Sequence, residues 1–149
     1  MIHFKGVQLF PLPVAEVAAK LSDAGFLANC VPDAHVSEAT PDRSVGKVKP
    51  KLSFLTGSLT LTAEVTAREP GKSVTFSILS KVIGASSTVV TKLEFKEADG
   101  GTAVHWSGDL VARTGLMKMV PEGLMEGTAK KVIDDVWASI TTKLVAASK

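Results

Sequence analysis

Several residue types that usually build elaborate sites are rare in this sequence. Its 149 residues include no tyrosine, one cysteine (Cys30), one asparagine (Asn29) and one glutamine (Gln8). A single cysteine excludes an internal disulfide and a zinc site built from several thiolates. Because amides are few and phenols absent, hydroxyls, charges and the backbone must supply most of the polar chemistry. This is a first argument against an elaborate active site.

Long hydrophobic runs and a strong charge imbalance are also missing. No apolar stretch reaches the ~20 residues that a membrane-spanning helix needs, and the first residues, MIHFK, lack the basic-then-apolar layout of a secretion signal. The 17 basic and 15 acidic residues give a net charge of +2, too small an excess for nucleic acid to be the main partner. We therefore expect one cytoplasmic domain, over residues 1–149, that touches membranes peripherally at most.

The apolar pattern predicts a β-rich chain between two helical regions. Residues 3–10 alternate as a strand does, and a helix over 14–21 and a shorter one over 24–30 follow. The middle of the chain then alternates as about six antiparallel strands, and an Asp-Gly-Gly turn at 99–101 joins the last two. The predicted strands cover 34–39, 45–54, 59–66, a stretch around 74–78, 85–95 and 102–111.

The apolar period becomes helical in the last part of the chain, from about residue 120 to 146. At 1.5 Å per residue such a helix spans about 40 Å, long enough to cross a whole sheet. Strands followed by one long helix indicate an α+β fold with a mostly antiparallel sheet. A sheet curved around one helix often leaves a gap between the two, and ligand pockets favour such places. The expected inward stripe of the helix is Met125, Ala129, Val132, Val136, Ile140 and Leu144.

Four passages, taken in order, are similar to one protein family. They are FKG and PLPVAEV within 4–17, DAGFLANCVP at 23–32, VGKVKPK at 45–51 and GLMEGTAKK at 123–131. Together they resemble the carbon monoxide dehydrogenase G-subunit (CoxG) family of the START-like helix-grip superfamily, over nearly the whole chain. The resemblance implies an α+β helix-grip fold, with a curved antiparallel sheet of about seven strands around a long C-terminal helix and two short helices after the first strand.

The resemblance also implies a function, with two departures from the family pattern. Pro32-Asp33 stands where the family usually has Pro-Gly. Some members continue into an apolar membrane segment, whereas this chain stops at Lys149, so membrane anchoring is not expected. The family resemblance implies a domain that binds a hydrophobic small molecule, and some members serve as accessory factors for molybdenum hydroxylases. It implies no catalytic residues that can be transferred to this chain.

A lipid- or quinone-like ligand is expected between the sheet and the last helix. Trp106 stands out, because Gly108 leaves space beside its ring and its indole N–H can donate to a ligand oxygen. Methionines cluster just before the helix, where their adaptable side chains suit a pocket mouth or, equally, ordinary packing. The expected ligand-binding residues are Leu61, Phe76, Ile78, Trp106, Leu110, Met117, Met119, Met125, Val132, Val136 and Ile140. The alternative is that these side chains fill a dry core.

Catalytic, metal and cofactor sites are not expected. The three histidines lie far apart in different elements, without the spacing of metal ligands. Cys30 has no visible base beside it and is expected to be a small buried hydrophobe. Asp134 and Asp135 are adjacent in the last helix, so their side chains point about 100° apart and cannot share a proton.

Two other functional classes share this fold and stay open. A polyketide cyclase or aromatase would need a general acid or base inside the cavity, whereas Glu64 and Asp109 are expected to face outward. A protein-interaction module, similar to the heat-shock ATPase activators of the superfamily, would show a filled core and an exposed apolar patch. Lys47, Lys49 and Lys51 form a basic stripe that either protects a sheet edge or docks to an acidic partner or an anionic membrane.

Overall fold

The structure is a computed structural model that describes residues 2–49 and 58–147. Within these residues it contains seven strands, three α-helices and one short 3₁₀ helix. In chain order they are β1 His3–Phe10, α1 Val14–Leu21, α2 Ala24–Asn29, β2 His35–Ala39, β3 Arg43–Val48, β4 Leu59–Glu69, β5 Ser73–Val82, β6 Ala85–Ala98, β7 Gly101–Gly115, the 3₁₀ helix Leu116–Met119 and α3 Glu122–Ala147.

The seven strands form one antiparallel sheet in the order β1-β7-β6-β5-β4-β3-β2. Strands β2 to β7 follow one another as neighbours, while β1 adds to the free side of β7. The sheet is therefore open, with β1 at one edge and β2 at the other. This arrangement, with two short helices after β1 and one long helix at the end, confirms the predicted α+β helix-grip fold.

One face of the sheet, called the inner face below, packs against the helices. Alternation along β5 and β6 directs every second side chain to this face, and Val74 and Phe76 are 0% and 2% exposed there. They belong to a large buried group, called the main cluster. Its members are Phe10, Leu12, Val17, Ala18, Leu21, Ala24, Cys30, Val74, Phe76, Leu93, Phe95, Val104, Trp137, Ile140 and Leu144.

Local signals in the sequence explain how the short helices begin and attach. Proline at residue 13 precedes α1, and the Asp23 carboxylate caps α2 by accepting the backbone N–H of Phe26 at 3.1 Å. The buried Thr102 hydroxyl donates to the carbonyl of Leu12 at 2.7 Å. This bond ties the start of β7 to the segment that leads into α1.

The structure corrects two predicted boundaries. The predicted strand over 102–111 is too short. Strand β7 continues to Gly115, because pairing with β6 continues as far as Ala85 and Gly115. The predicted strand over 45–54 ends at Val48, and its remainder from residue 50, with Lys51, lies outside the described residues. In the described ranges, no helix combines the length and the apolar character that a membrane span requires.

Candidate ligand-binding site

A second group of apolar side chains lies at the far end of the inner face. This end cluster contains the buried Val82, Ala85 and Met117, with half-buried Leu59 and Met125 packed against it. It joins the tip of the β5–β6 hairpin to the 3₁₀ helix and the first turns of α3. The inner face therefore has two apolar clusters rather than one continuous core.

Between the two clusters the inner face carries small or incompletely buried side chains. They occupy two neighbouring cross-strand rows of β5, β6 and β7, namely Ile78–Val89–Leu110 and Ser80–Ser87–Arg113. Ile78, Val89 and Leu110 are half-buried, whereas Phe76 on one side is 2% and Val82 on the other is 5% exposed. From Phe76 to Val82 the strand rises about 20 Å. We call the space above these two rows the helix–sheet gap.

Helix α3 crosses this gap. Met125 packs on the end cluster, and Ile133 and Val136 pack on the main cluster, so residues 126–132 span the distance between them. Within that span only Thr128 and Ala129 are half-buried, and the other side chains are exposed. The helix is thus held at both clusters and packs incompletely over the two rows.

Trp106 packs against the main cluster, two cross-strand rows beyond Ile78, Val89 and Leu110. Its ring centroid is 6.0 Å from that of Trp137, and its pyrrole edge covers Gly6 of β1 so closely that a Cβ there would lie 2.9 Å from Nε1. The Nε1 donor is buried and has no hydrogen-bond partner among the described residues. Burying an N–H group without an acceptor costs free energy, and a ligand oxygen would have to displace the neighbouring side chains to reach this buried atom.

Arg113 lies at the opposite end, where β7 meets the start of α3. Its guanidinium reaches the carbonyl oxygen of Val120 at 3.5 Å and the sulfur of Met125 at 3.4 Å. A carboxylate oxygen of Glu122 is 3.9 Å away. An open depression of about 280 Å³ lies beside it, lined by Ile2, Leu110, Val111, Ala112, Arg113 and Glu122. Because it includes Leu110 and Arg113 of the two rows, we call this end of the helix–sheet gap its mouth.

Most of the predicted ligand-binding residues lie on or beside the gap. Phe76 and Ile140 are in the main cluster, with Ile78, Trp106 and Val136 packed against it. Met117 and Met125 are in or against the end cluster, and Leu61 is half-buried in the same cross-strand row as Ser80. Four residues of the two rows were not predicted, namely Val89, Ser80, Ser87 and Arg113.

Two predicted residues lie away from the gap. Met119 is 79% exposed, because its neighbour Met117 takes the inward position of the short 3₁₀ helix. Val132 is 47% exposed and lines a separate depression of about 290 Å³ on α3, with Leu124, Lys131 and other residues of that helix. Val132 was expected to face inward. Instead its neighbour Ile133 packs on the main cluster, because the apolar positions of the helix do not stay on one line along its surface.

The gap holds few ionisable groups. Among the described residues of its two rows, Arg113 is the one charged side chain. Glu64 and Asp109 are directed to the opposite face, where Arg43 and His3 respectively contact them. The described part of the chain also contains no group of three or more His, Cys, Asp or Glu side chains placed to hold a metal ion. The walls thus offer apolar surface, hydroxyls and a cation.

Cys30 is buried in the main cluster, and we expect it to be unreactive in the folded protein. Burial raises the pKa of its thiol from 9.0 to about 11, although the charge of Lys143 opposes this. The thiolate is the reactive form, so a disulfide reagent at pH 8 should modify Cys30 slowly without urea and rapidly in urea. The raised pKa also contributes stability below pH 9 that is lost as the pH approaches 11. Rapid modification without urea would show that α2 opens readily.

Comparisons with known proteins place this geometry in a family context. The family model for the G subunit of carbon monoxide dehydrogenase (CoxG) matches residues 10–145. No curated protein gives a significant match. A conserved protein from Geobacillus kaustophilus has a similar crystal structure, with a TM-score of 0.83 and 16% identity over 98% of this chain and 97% of its own.

Two further solved structures show the same fold. A protein from Mycobacterium smegmatis has a TM-score of 0.69 and 18% identity, with 97% of this chain and 92% of its own covered. A protein from Chromobacterium violaceum has a TM-score of 0.65 and 11% identity, over 93% of this chain and 96% of its own. At these identities the likeness shows the fold alone.

Proposed function

Because this chain belongs to the carbon monoxide dehydrogenase G-subunit (CoxG) family, we propose that it is a cytoplasmic accessory protein that binds an apolar, lipid- or quinone-like molecule in the helix–sheet gap. The partner system would be a carbon monoxide dehydrogenase or another molybdenum hydroxylase. One observation carries the proposal. The inner face keeps a half-buried apolar stretch, with Ile78, Val89 and Leu110, between two well-buried clusters.

The physical reason is that this apolar stretch stays in contact with water, at a cost in free energy, when no ligand covers it. Apolar surface left in contact with water forgoes about 25 cal/mol for each Å² that could be buried. A ligand that covers Ile78, Val89 and Ala129 recovers this free energy, less the cost of its own ordering.

The side chains that line the gap give less support to a catalytic function. A cyclase needs a group that gains and loses a proton near neutral pH. The ionisable side chain in the two rows is Arg113, and a guanidinium stays protonated in proteins. We therefore favour binding over acid–base chemistry.

The test is to identify what the purified protein carries. Native mass spectrometry before and after organic extraction should show a stoichiometric apolar molecule. A thermal-shift panel of fatty acids, fatty alcohols and naphthoquinones should raise the Tm of the extracted protein. An empty protein that no member of the panel stabilises would overturn the proposal. For the partner, co-purification with molybdenum hydroxylase subunits from the same organism is the corresponding assay.

A second prediction concerns Trp106. Trp106→Phe keeps most of the apolar ring and removes the N–H, so it should abolish any preference for menadione over 2-methylnaphthalene, a similar probe without the carbonyl oxygens. One neutral hydrogen bond of about 1 kcal/mol corresponds to roughly a fivefold loss of menadione affinity. Calorimetric titration of both probes measures this, and Trp137→Phe provides the matched control. An unchanged preference in Trp106→Phe would show that the indole donor faces no ligand oxygen.

A further inference from the structure

We propose that the ligand of this gap carries an oxyanion head group, a carboxylate or a phosphate, and that Arg113 binds it together with the hydroxyls of Ser80 and Ser87. The inference rests on the proposed function and deepens it, since it assigns a chemical class to one end of the bound molecule. It also assigns a place to that end, namely the mouth of the gap.

The three side chains lie in one cross-strand row. Ser80 of β5 pairs with Ser87 of β6, and Ser87 pairs with Arg113 of β7. Neighbouring strands are about 4.8 Å apart, so the row measures about 10 Å between the outer two Cα atoms, within reach of the long arginine side chain. On one side of this row lie Ile78, Val89 and Leu110, and on the other lies the end cluster. These three polar side chains therefore lie between two apolar regions of the inner face.

The two hydroxyls in this row have no protein partner among the described residues. Ser87 is 8% exposed and Ser80 is half-buried. Neither side chain forms a hydrogen bond within residues 2–49 and 58–147, whereas the buried Thr102 hydroxyl bonds to a carbonyl at 2.7 Å. Among the described residues the fully buried side-chain atom without a partner is Trp106 Nε1, so the two serine oxygens retain contact with solvent. Two adjacent hydroxyls that face the gap and form no hydrogen bond within the described residues are suited to a ligand oxygen.

Arg113 is likewise short of strong acceptors. Its side chain is 25% exposed, so most of it is removed from water. The Val120 carbonyl at 3.5 Å is beyond the usual 2.7–3.2 Å of a good hydrogen bond. The Met125 sulfur is a weak acceptor, and the Glu122 carboxylate at 3.9 Å is itself 60% exposed. A partly buried guanidinium whose protein contacts are long or weak favours an incoming anion.

Oxyanions satisfy these groups together. Carboxylate and phosphate oxygens match the paired N–H groups of a guanidinium, and such charge-assisted bonds are about twice as strong as neutral ones. A second oxygen of the same head group would accept from Ser87 or Ser80. The solvent-exposed contact with Glu122 is an ion pair of the kind that contributes about 0–1 kcal/mol, so an anion can displace it. The apolar tail would then cover Ile78 and Val89.

The test compares three probes of similar chain length, namely dodecanoate, dodecyl phosphate and dodecanol, the anions below their micelle concentrations and the alcohol below its solubility limit. A change in the fluorescence of Trp106 and Trp137, the two tryptophans of the chain, reports binding. We expect the anions to bind about tenfold more tightly than dodecanol. Arg113→Gln should remove this preference, so that the two anions bind no more tightly than dodecanol. The more tightly bound anion identifies the head group as carboxylate or phosphate.

Matched variants separate the local effect from general electrostatics. Lys118→Gln removes the same charge from the exposed side of the adjacent 3₁₀ helix and should leave the preference intact. Glu122→Gln removes the competing carboxylate and should tighten anion binding about threefold. If Arg113→Gln does not fold, as judged by circular dichroism, the double variant Ser80→Ala, Ser87→Ala should still weaken anion binding several-fold.

The outcomes distinguish the two proposals. Equal affinity of the native protein for all three probes would overturn the oxyanion inference and leave apolar binding standing. An anion preference that survives in Arg113→Gln would overturn it as well. Failure of every probe to bind, with no small molecule carried by the purified protein, would overturn the proposed function and the head-group site together.

Discussion

Replacing Gly108 with leucine is expected to abolish ligand binding while the protein stays folded. Gly108 is buried on the inner face of β7, between Trp106 and Leu110. A Cβ at this position would lie 3.7 Å from Val89 Cγ1 and 3.8 Å from Thr91 Oγ1, which is ordinary contact. Gly108 pairs with Thr91 in the row next to Val89 and Leu110, so we expect the remaining atoms of leucine to reach the adjoining end of the helix–sheet gap. Overpacking of a filled site costs up to about 3 kcal/mol, so affinity should fall roughly a hundredfold.

Two neighbouring variants make this result specific. Gly108→Ala adds the one carbon that the structure accommodates and should retain most of the binding. Ser107→Leu introduces the same side chain one residue earlier, where alternation directs it to the outer face, and should leave affinity unchanged. Calorimetric titration with the ligand recovered from the protein measures all three. If Gly108→Leu binds as tightly as the native protein, the ligand lies elsewhere.

Replacing Phe76 with alanine is expected to produce the largest loss of stability. Phe76 is 2% exposed in the centre of the main cluster, where strands β5 and β6 meet the helices. Truncating a buried phenylalanine costs about 3–5 kcal/mol, because apolar contacts are lost and a cavity remains. Since a domain is typically stable by about 5–15 kcal/mol, the midpoint of urea unfolding should fall strongly. Urea titration followed by circular dichroism measures the free energy of unfolding.

Leu79→Ala is the matched control for this truncation. Leu79 lies in the same strand on the outer face and is 38% exposed, so its loss should cost less than about 1 kcal/mol. A similar loss of stability for both variants would contradict the assignment of the inner face as the core. The same comparison also tests the register on which the gap is defined.

The strands could be predicted from the sequence because their patterns are local. Residues 59–66 alternate strictly, and they form the first part of β4. The Asp-Gly-Gly turn was recognised from its residues, and Asp99 and Gly100 have positive φ angles. The end of β7 was not predictable in this way. Its last residues stay in the sheet because β6 offers backbone partners as far as Ala85, and pairing with a distant strand leaves no local pattern.

The candidate site was predicted less completely, since it depends on how elements meet. Alternation alone placed Ile78 and Leu110 on the correct face. It could not show that α3 packs closely at its two ends and incompletely over Ser80 and Ser87. Arg113 was overlooked because the predicted strand ended at residue 111. Whether any of these residues binds a ligand stays a prediction.

Strand β1 has a consequence for how the polypeptide is made. It pairs with β7, and His3 contacts Asp109, which is 106 residues further along the chain. Strands β2 to β7 can pair with their neighbours as they leave the ribosome, whereas β1 emerges first and must wait for the last strand. Closing so long a loop carries an entropic cost, and pairings of high sequence separation slow folding. The first strand of the sheet in chain order is therefore among the last to pair.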